Sequence, residues 1–316
     1  MGNGEVHVER VLFLAPNMEP RGTSEYTVHL AREMRRQGVH VEVFCGPGPM
    51  VGVLQRSDVP VTVFEHLESF FWHPGLRKRL PAALAEAASD VLHVHSSKLV
   101  GPMKCLISES ETPMVLTLHW RPGSAGGMRR LSDGLKGIIA TTRGVREELV
   151  NKVGLDRAKV TVIPNGVDVE RIEALNVPPI FRSDVPVVGS LGPVEEKRGH
   201  ELFVEAVARL VRNGVQAQFL VAGMGAEEPG IRKLVKQRGL ERHVTMACDL
   251  AGYDDVLDAL DIVVQASQVD VSGYSILFPM AYQRTVVAFN TGTACEIVKD
   301  EKTGLLVPKG DINALA

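Results

Sequence analysis

The residues best placed to do chemistry in this chain are Asp270, Ser272 and Gly273, because of what flanks them. The β-branched run Ile262 to Val264 leads into a polar turn, Ser267 to Gly273, followed by an apolar helix-like segment and a second run, Thr285 to Val287. Strand, loop, helix, strand is a βαβ unit. In open parallel sheets ligands sit at the carboxyl ends of the strands, where loop amides and a helix N-terminus face an anion. The turn stands at such a mouth, although an ordinary βα connection would read the same way. His119 arrives at an equivalent place, the carboxyl end of the buried run Met114 to Leu118, and a structural histidine fits there equally well. His93 and His95, on the run Asp90 to His95, share one strand face, which is one way to begin a zinc site. No third ligand is suggested nearby, so metal binding is not expected.

These residues need a frame of parallel strands. Arg10 to Ala15 is a continuous apolar run, as expected of a strand buried on both faces. The first βα loop holds Pro16, Pro20, Arg21 and Gly22, and Thr23 or Ser24 can cap a helix whose apolar side is Val28, Leu30, Ala31 and Met34. Gly38 stops that helix and strand Val39 to Phe44 follows. Further on come strand Gly137 to Ala140, helix Thr142 to Lys152 and strand Val160 to Ile163. The stretch from about 169 to 186, with Pro178, Pro179 and Pro186, lacks periodicity and is expected to hold the domain boundary, placed after residue 180. Strands Val187 to Leu191, Ala217 to Ala222 and Val244 to Ala247 then alternate with helices Glu201 to Arg212, Ile231 to Arg238 and Asp255 to Leu260. That alternation makes a second Rossmann-like half.

At 316 residues and 45% apolar the chain can bury two cores. Its net charge of -3 and pI near 6.4 give no whole-protein reason to expect nucleic acid. Cys45, Cys105, Cys248 and Cys295 are too far apart in sequence to suggest a metal or disulfide framework and read as buried thiols in a reducing cytosol. Neither a run of about 18 apolar residues nor a signal-peptide core is present, so a cytoplasmic chain that does not span a membrane is expected.

Several of these stretches together resemble one family. They are the strand ending His93-Val94-His95, the turn Pro164-Asn165-Gly166-Val167-Asp168, the run Gly192 to Gly199, the loop from Asp270, and Thr303 to Val307 with Gly310-Asp311. The chain is similar over residues 10 to 313 to the retaining GT-B fold glycosyltransferases of the family-4 type, the superfamily of glycogen synthases and mannosyltransferases. The resemblance implies an α/β fold of two Rossmann-like parallel-sheet domains facing a cleft, residues 1–180 binding the acceptor and 181–316 the nucleotide-sugar donor. It implies transfer of a sugar, with retention of configuration and without a metal or cofactor, to a saccharide, lipid or small-molecule acceptor. The catalytic residues it implies are His119 beside the donor sugar, Asp270 on the sugar hydroxyls and Arg198 on the diphosphate. Its donor contacts are Gly22, Thr23, Lys197, Arg198, Ser272, Gly273, Tyr274, Ser275 and Ile276, and the leaving phosphate takes the acceptor's proton. The Gly-rich stretch Arg121 to Met128 reads as a flexible loop over the acceptor, and the Pro164 to Asp168 turn as structural.

Two positions depart from the family pattern. Its Gly-Arg-hydrophobe, three residues, Lys-Gly run reads here Gly192-Pro193-Val194-Glu195-Glu196-Lys197-Arg198-Gly199, with Pro193 in the Arg place and Arg198 in the Lys place. Phe278 stands where a Glu would hold the ribose. A hydrogen bond to a charged group contributes roughly 1.5 to 3 kcal/mol, and one lost transition-state donor costs about a hundredfold in rate. A catalytically inactive paralogue, acting as a binding or partner subunit, is therefore the alternative. A NAD-linked Rossmann enzyme is poorly supported, because Gly223-Met224-Gly225 lacks the third glycine of the dinucleotide fingerprint. Family chains usually run on through C-terminal helices, so a shortened chain or a protein partner that replaces those helices is expected. Arg77-Lys78-Arg79 and Trp72 have two open readings: a seat on the inner face of an anionic membrane if the acceptor is lipid-linked, or an ordinary solvated helix face.

Overall fold

Alternate residues of the first strand feed two different cores, which is what makes its sheet the middle layer of a sandwich. Leu12 and Leu14 pack with Phe44, Leu92 and Val94 in one cluster, while Val11, Phe13 and Ala15 pack with Val41, Val43 and Cys45 in another. The computed structural model describes residues 8–20, 22–119, 125–175, 184–247, 254–269 and 273–316. Two compact units result, Met1–Asn165 and Gly166–Ala316.

The first unit is a seven-stranded sheet of β1 (Arg10–Asn17), β2 (His40–Gly46), β3 (Val61–Val63), β4 (Val91–Val94), β5 (Met114–Leu118), β6 (Gly137–Ala140) and β7 (Val160–Val162). Its spatial order is β3-β2-β1-β4-β5-β6-β7, with the strand pairs parallel. The second unit holds β8 (Val187–Leu191), β9 (Gln218–Ala222), β10 (Val244–Ala247), β11 (Ile262–Gln265), β12 (Thr285–Phe289) and β13 (Leu305–Val307), in the order β10-β9-β8-β11-β12-β13. In each sheet the chain winds outward from its first strand, then crosses over and winds out the other way. The reversals fall between β1 and β4 and between β8 and β11, and the loops leaving those strands diverge to form a crevice at each point.

Some local expectations change. The loop foreseen through Met128 is helical from Ala125 to Ser132, because Met128, Leu131 and Leu135 are buried and draw the segment onto the core; residues 121–124 lie outside the described residues. A helix, Val169–Leu175, occupies the start of the aperiodic stretch, with the Asp168 carboxylate accepting from the Arg171 amide at 2.9 Å. The boundary expected at residue 180 falls outside the described residues. The helix expected from Thr142 to Lys152 is α-helical over Arg143–Glu148 and widens to a π turn, Leu149–Val153, before Gly154 ends it in the left-handed region. Among the described residues no helix is long and apolar enough to cross a membrane.

Candidate functional site

At the first reversal, the Gly22–Arg36 helix leaves β1, His95 follows β4, and His119 follows β5. The helix starts at Gly22, so Thr23 and Ser24, expected as caps, sit within its first turn and are buried. Behind them lies a buried polar cluster built on three histidines. The Thr27 hydroxyl donates to the Thr23 carbonyl at 2.9 Å and stands 2.8 Å from His95 Nδ1. A hydroxyl has one proton, so His95 must donate from Nδ1, which leaves Nε2 as an acceptor. Thr117 Oγ1 lies 2.7 Å from His93 Nε2 and 3.1 Å from the Tyr26 hydroxyl. The Tyr26 ring stands edge-on to His95 and His119, with centroids 5.0 and 4.9 Å apart. Burial drives all three imidazoles toward the neutral form. His93 falls to about 4, His119 to about 3 with help from His93, and His95 well below its ordinary value.

The Asn165 side-chain amide stands 3.5 Å from His119 Nδ1, at the long end of hydrogen bonding. The Pro164 to Asp168 turn, read from sequence as structural, thus also reaches the imidazole. Among the described residues no set of His, Cys, Asp and Glu is arranged to hold a metal ion.

The second reversal is framed by main chain. After β8 the Gly192 amide donates to the Ala222 carbonyl at 3.0 Å and the Val194 amide to that of Met224 at 2.8 Å, joining this turn to the one after β9. On the other side the Gln268 amide donates to the Lys197 carbonyl at 2.9 Å. Gly199, at φ +88°, approaches β11 so closely that a Cβ would lie 1.9 Å from the Ala266 carbonyl oxygen. Lys197 and Arg198 are therefore carried beside the chain that leads toward Gly273. The Lys197 side chain is exposed, with Nζ 3.6 Å from Glu196, and the Arg198 guanidinium is 3.6 Å from Glu195. The Pro193 carbonyl is 3.2 Å from His200 Nε2, whose Nδ1 is 3.0 Å from Ser190 Oγ; the ring donates to Pro193 and accepts from Ser190. Burial lowers His200 to about 4.

Gly273 takes φ +87° and opens the Tyr274–Ala281 helix, and the Gln265 side-chain amide donates to Ser275 Oγ. The Tyr274, Ile276 and Phe278 side chains are buried, with the Phe278 ring 5.4 Å from that of Tyr274. The Ile276 amide donates to the Gly273 carbonyl at 3.0 Å. Asp270 and Ser272 lie outside the described residues. Beside the cationic turn a cavity of about 350 Å³ is lined by Glu195, Glu196, Lys197, His200, Glu201 and Glu227 among others. The roles of Tyr26, Thr117 and Asn165 had no signal in sequence, since each depends on which strands become neighbours.

Two parallel α/β units, each with polar residues gathered at a switch point, define a doubled Rossmann-type architecture with a ligand crevice expected at each reversal. Comparison with known proteins narrows it. The family described as Glycosyltransferase Family 4 matches residues 20–171, and Glycosyl transferases group 1 matches residues 173–316. The phosphatidyl-myo-inositol mannosyltransferase of Mycobacterium leprae is 25% identical over 315 residues, covering 94% of this chain and 82% of that protein. The alpha-D-kanosaminyltransferase of Streptomyces kanamyceticus is 32% identical over 127 residues, 40% of this chain and 33% of its own length. HepE of Anabaena, solved with UDP and glucose, superposes with a TM-score of 0.81 at 21% identity, over 98% of this chain and 88% of that one. The chain belongs to the GT-B glycosyltransferases of the family-4 type.

Proposed function

We infer that the chain moves a glycosyl group from a nucleoside-diphosphate sugar to a saccharide, lipid-linked or small-molecule acceptor, with retention of configuration and without a metal ion. The observation that carries this reading is the bonding of the Lys197-Arg198 turn to the end of β11 at the switch point, next to the N-terminus of the Tyr274–Ala281 helix. Two cations and a helix N-terminus at one mouth suit a diphosphate whose charge grows as it leaves. In this reading Arg198 and Lys197 hold the diphosphate, and Gly273 and Ser275, with Ser272, frame it from the helix. Tyr274 and Ile276 serve by packing. Gly22 and Thr23 are read as donor contacts, Asp270 as the partner of the sugar hydroxyls, and neutral His119 as a hydrogen-bond partner of the sugar. The bond from the anomeric carbon to the diphosphate oxygen breaks, a bond to the acceptor oxygen forms on the same face, and the acceptor's proton passes to the leaving phosphate. The first unit holds the acceptor and the second the donor. The thiols of Cys45, which is buried as expected, and of Cys105 and Cys295, which are not, suit a reducing, cytoplasmic setting.

Buried Phe278 supports a second reading, an inactive paralogue, because no carboxylate stands at that position to hold a ribose. Calorimetric titration with UDP, GDP and ADP, metal-free and then with magnesium, separates the two. Metal-free micromolar binding of one nucleotide, followed by transfer of its sugar with the anomeric configuration kept in the NMR spectrum of the product, is the expected result. Binding of none would favour the inactive reading.

A further inference from the structure

His95 is fully buried at the end of β4 and has no part in the transfer described above. Its ring packs against Phe13, Tyr26 and His93, with centroids 4.4, 5.0 and 4.5 Å away. Burial, and then the neighbouring rings of His93 and His119, keep it uncharged. A neutral imidazole carries a single N–H, and Thr27 decides where it is. The Thr27 hydroxyl is committed to the Thr23 carbonyl at 2.9 Å, so the 2.8 Å contact is His95 Nδ1–H donating to Thr27 Oγ1. Nε2 has no partner among the described residues. The polar role of this ring therefore rests on Nδ1.

These bonds form one directed chain, from His95 through Thr27 to the Thr23 carbonyl, and every member is buried. It joins the carboxyl end of β4 to the first turn of the Gly22–Arg36 helix. A helical threonine divides between two side-chain rotamers, because its hydroxyl can reach the carbonyl three or four residues back. An N–H arriving on that oxygen from His95 selects one of them. The Thr23 carbonyl and the Ser24 amide share one rigid peptide plane and point in opposite directions, so fixing the carbonyl fixes the amide. The amides of a helix's first turn have no partner within the helix. Here they stand at the mouth between β1 and β4, where an anion would meet them.

We propose that His95 is a positioning residue for glycosyl transfer: its Nδ1–H holds the Thr27 hydroxyl on the Thr23 carbonyl, and so aims the first-turn amides of the Gly22–Arg36 helix at the leaving diphosphate. What those amides face rests on the function proposed above; the chain of bonds does not. In this arrangement His95 acts through Thr27 and not on the substrate. A histidine that only filled the core could be replaced by any side chain of similar size. This one can be replaced only by a side chain that brings an N–H to the place of Nδ1. Asparagine does so, because its amide nitrogen is as many bonds from the backbone as Nδ1, and it puts nothing at Nε2. Glutamine reaches the place of Nε2 instead.

The test begins with the unaltered full chain. Long-range proton–nitrogen NMR of histidine-labelled protein at pH 7 should show the His95 ring, assigned by its loss in His95→Asn, protonated at Nδ1 alone; a proton on Nε2 would overturn the proposal. Kinetics follow, read as hydrolysis of a panel of UDP-, GDP- and ADP-linked hexoses. His95→Gln and Thr27→Val should each lower kcat about a hundredfold, with KM for the donor within about threefold of the parent. The double variant should be no worse than either single one, since both break the same chain. His95→Asn should recover kcat to within about threefold of the parent. Additive losses, a His95→Asn no better than His95→Gln, or a kcat that follows melting temperature across the variants would each overturn the positioning role. A parent chain that turns over none of the panel fails the function proposed above and takes this role with it, whereas parent turnover unmoved in His95→Gln overturns this role alone.

Discussion

Acidification should unfold the first unit before the second, and the buried histidines give the size of the effect. His93 is held near 4 and His119 near 3 by burial, against an ordinary 6.5 in the unfolded chain. Above pH 6.5 both states keep these rings neutral and no penalty applies. As pH falls, the unfolded chain takes up protons that the folded unit refuses, so stability is lost from about 6.5 down toward about 4 and 3. At pH 5 each ring costs about 2 kcal/mol, so the pair costs about 4 kcal/mol, and His95 acts in the same direction. A domain has only about 5 to 15 kcal/mol to lose. The second unit has one such ring, His200 near 4, and should lose about half as much as that pair. Urea unfolding at pH 7 and pH 5, read by hydrogen exchange at peptide resolution, assigns the loss to each unit. A first unit whose stability changes by less than about 1 kcal/mol between those pH values would refute the idea that these rings are kept neutral by burial.

Arg198→Ala should weaken binding of the preferred nucleoside diphosphate roughly 10- to 100-fold by calorimetry, one charged hydrogen bond's worth, and binding within twofold of the parent would remove Arg198 from the diphosphate. Glu195→Gln frees the same guanidinium from its 3.6 Å partner and should tighten binding by up to about fivefold. Gly199→Ala puts a methyl 1.9 Å from the Ala266 carbonyl at a φ of +88°, so the second unit should lose about 2 kcal/mol or more in urea, and an unchanged midpoint would contradict the close approach. Tyr26→Phe keeps the ring against His119 but removes the hydroxyl near Thr117; kcat is expected to fall with KM for the donor little changed, and an unaltered kcat would separate the cluster from catalysis.

The strands at the centre of each sheet were legible because burial on both faces leaves a continuous apolar run, as in Val11 to Ala15 and Ile262 to Val264. Edge strand β3 was not, since it has three residues and a half-exposed pattern. The Ala125–Ser132 helix was hidden by Gly126 and Gly127, whose weak helical preference is overridden once Met128 and Leu131 find the core. The site divides in the same way. Gly273 at a helix start and Lys197 with Arg198 in a turn follow from local pattern. Their meeting does not, because it requires β8 to pair with β11 across about 70 intervening residues. Asn165 lies in a recognisable turn, but its reach to His119 depends on β5 and β7 flanking β6.

The bonds around the second mouth run from main chain to main chain, through Gly192, Val194, Lys197 and Gln268. A socket held together in this way is indifferent to which side chains line it. Pro193 illustrates the point: its neighbours on either side make the amide bonds, and it has no amide of its own to withdraw. Phe278 is likewise housed in the core without disturbing the Gly273 turn. Charge can be moved in or out of position 193 while the loops keep their places, so changing what this turn binds is a problem of decoration, whereas a charge at buried position 278 would need a partner in the core.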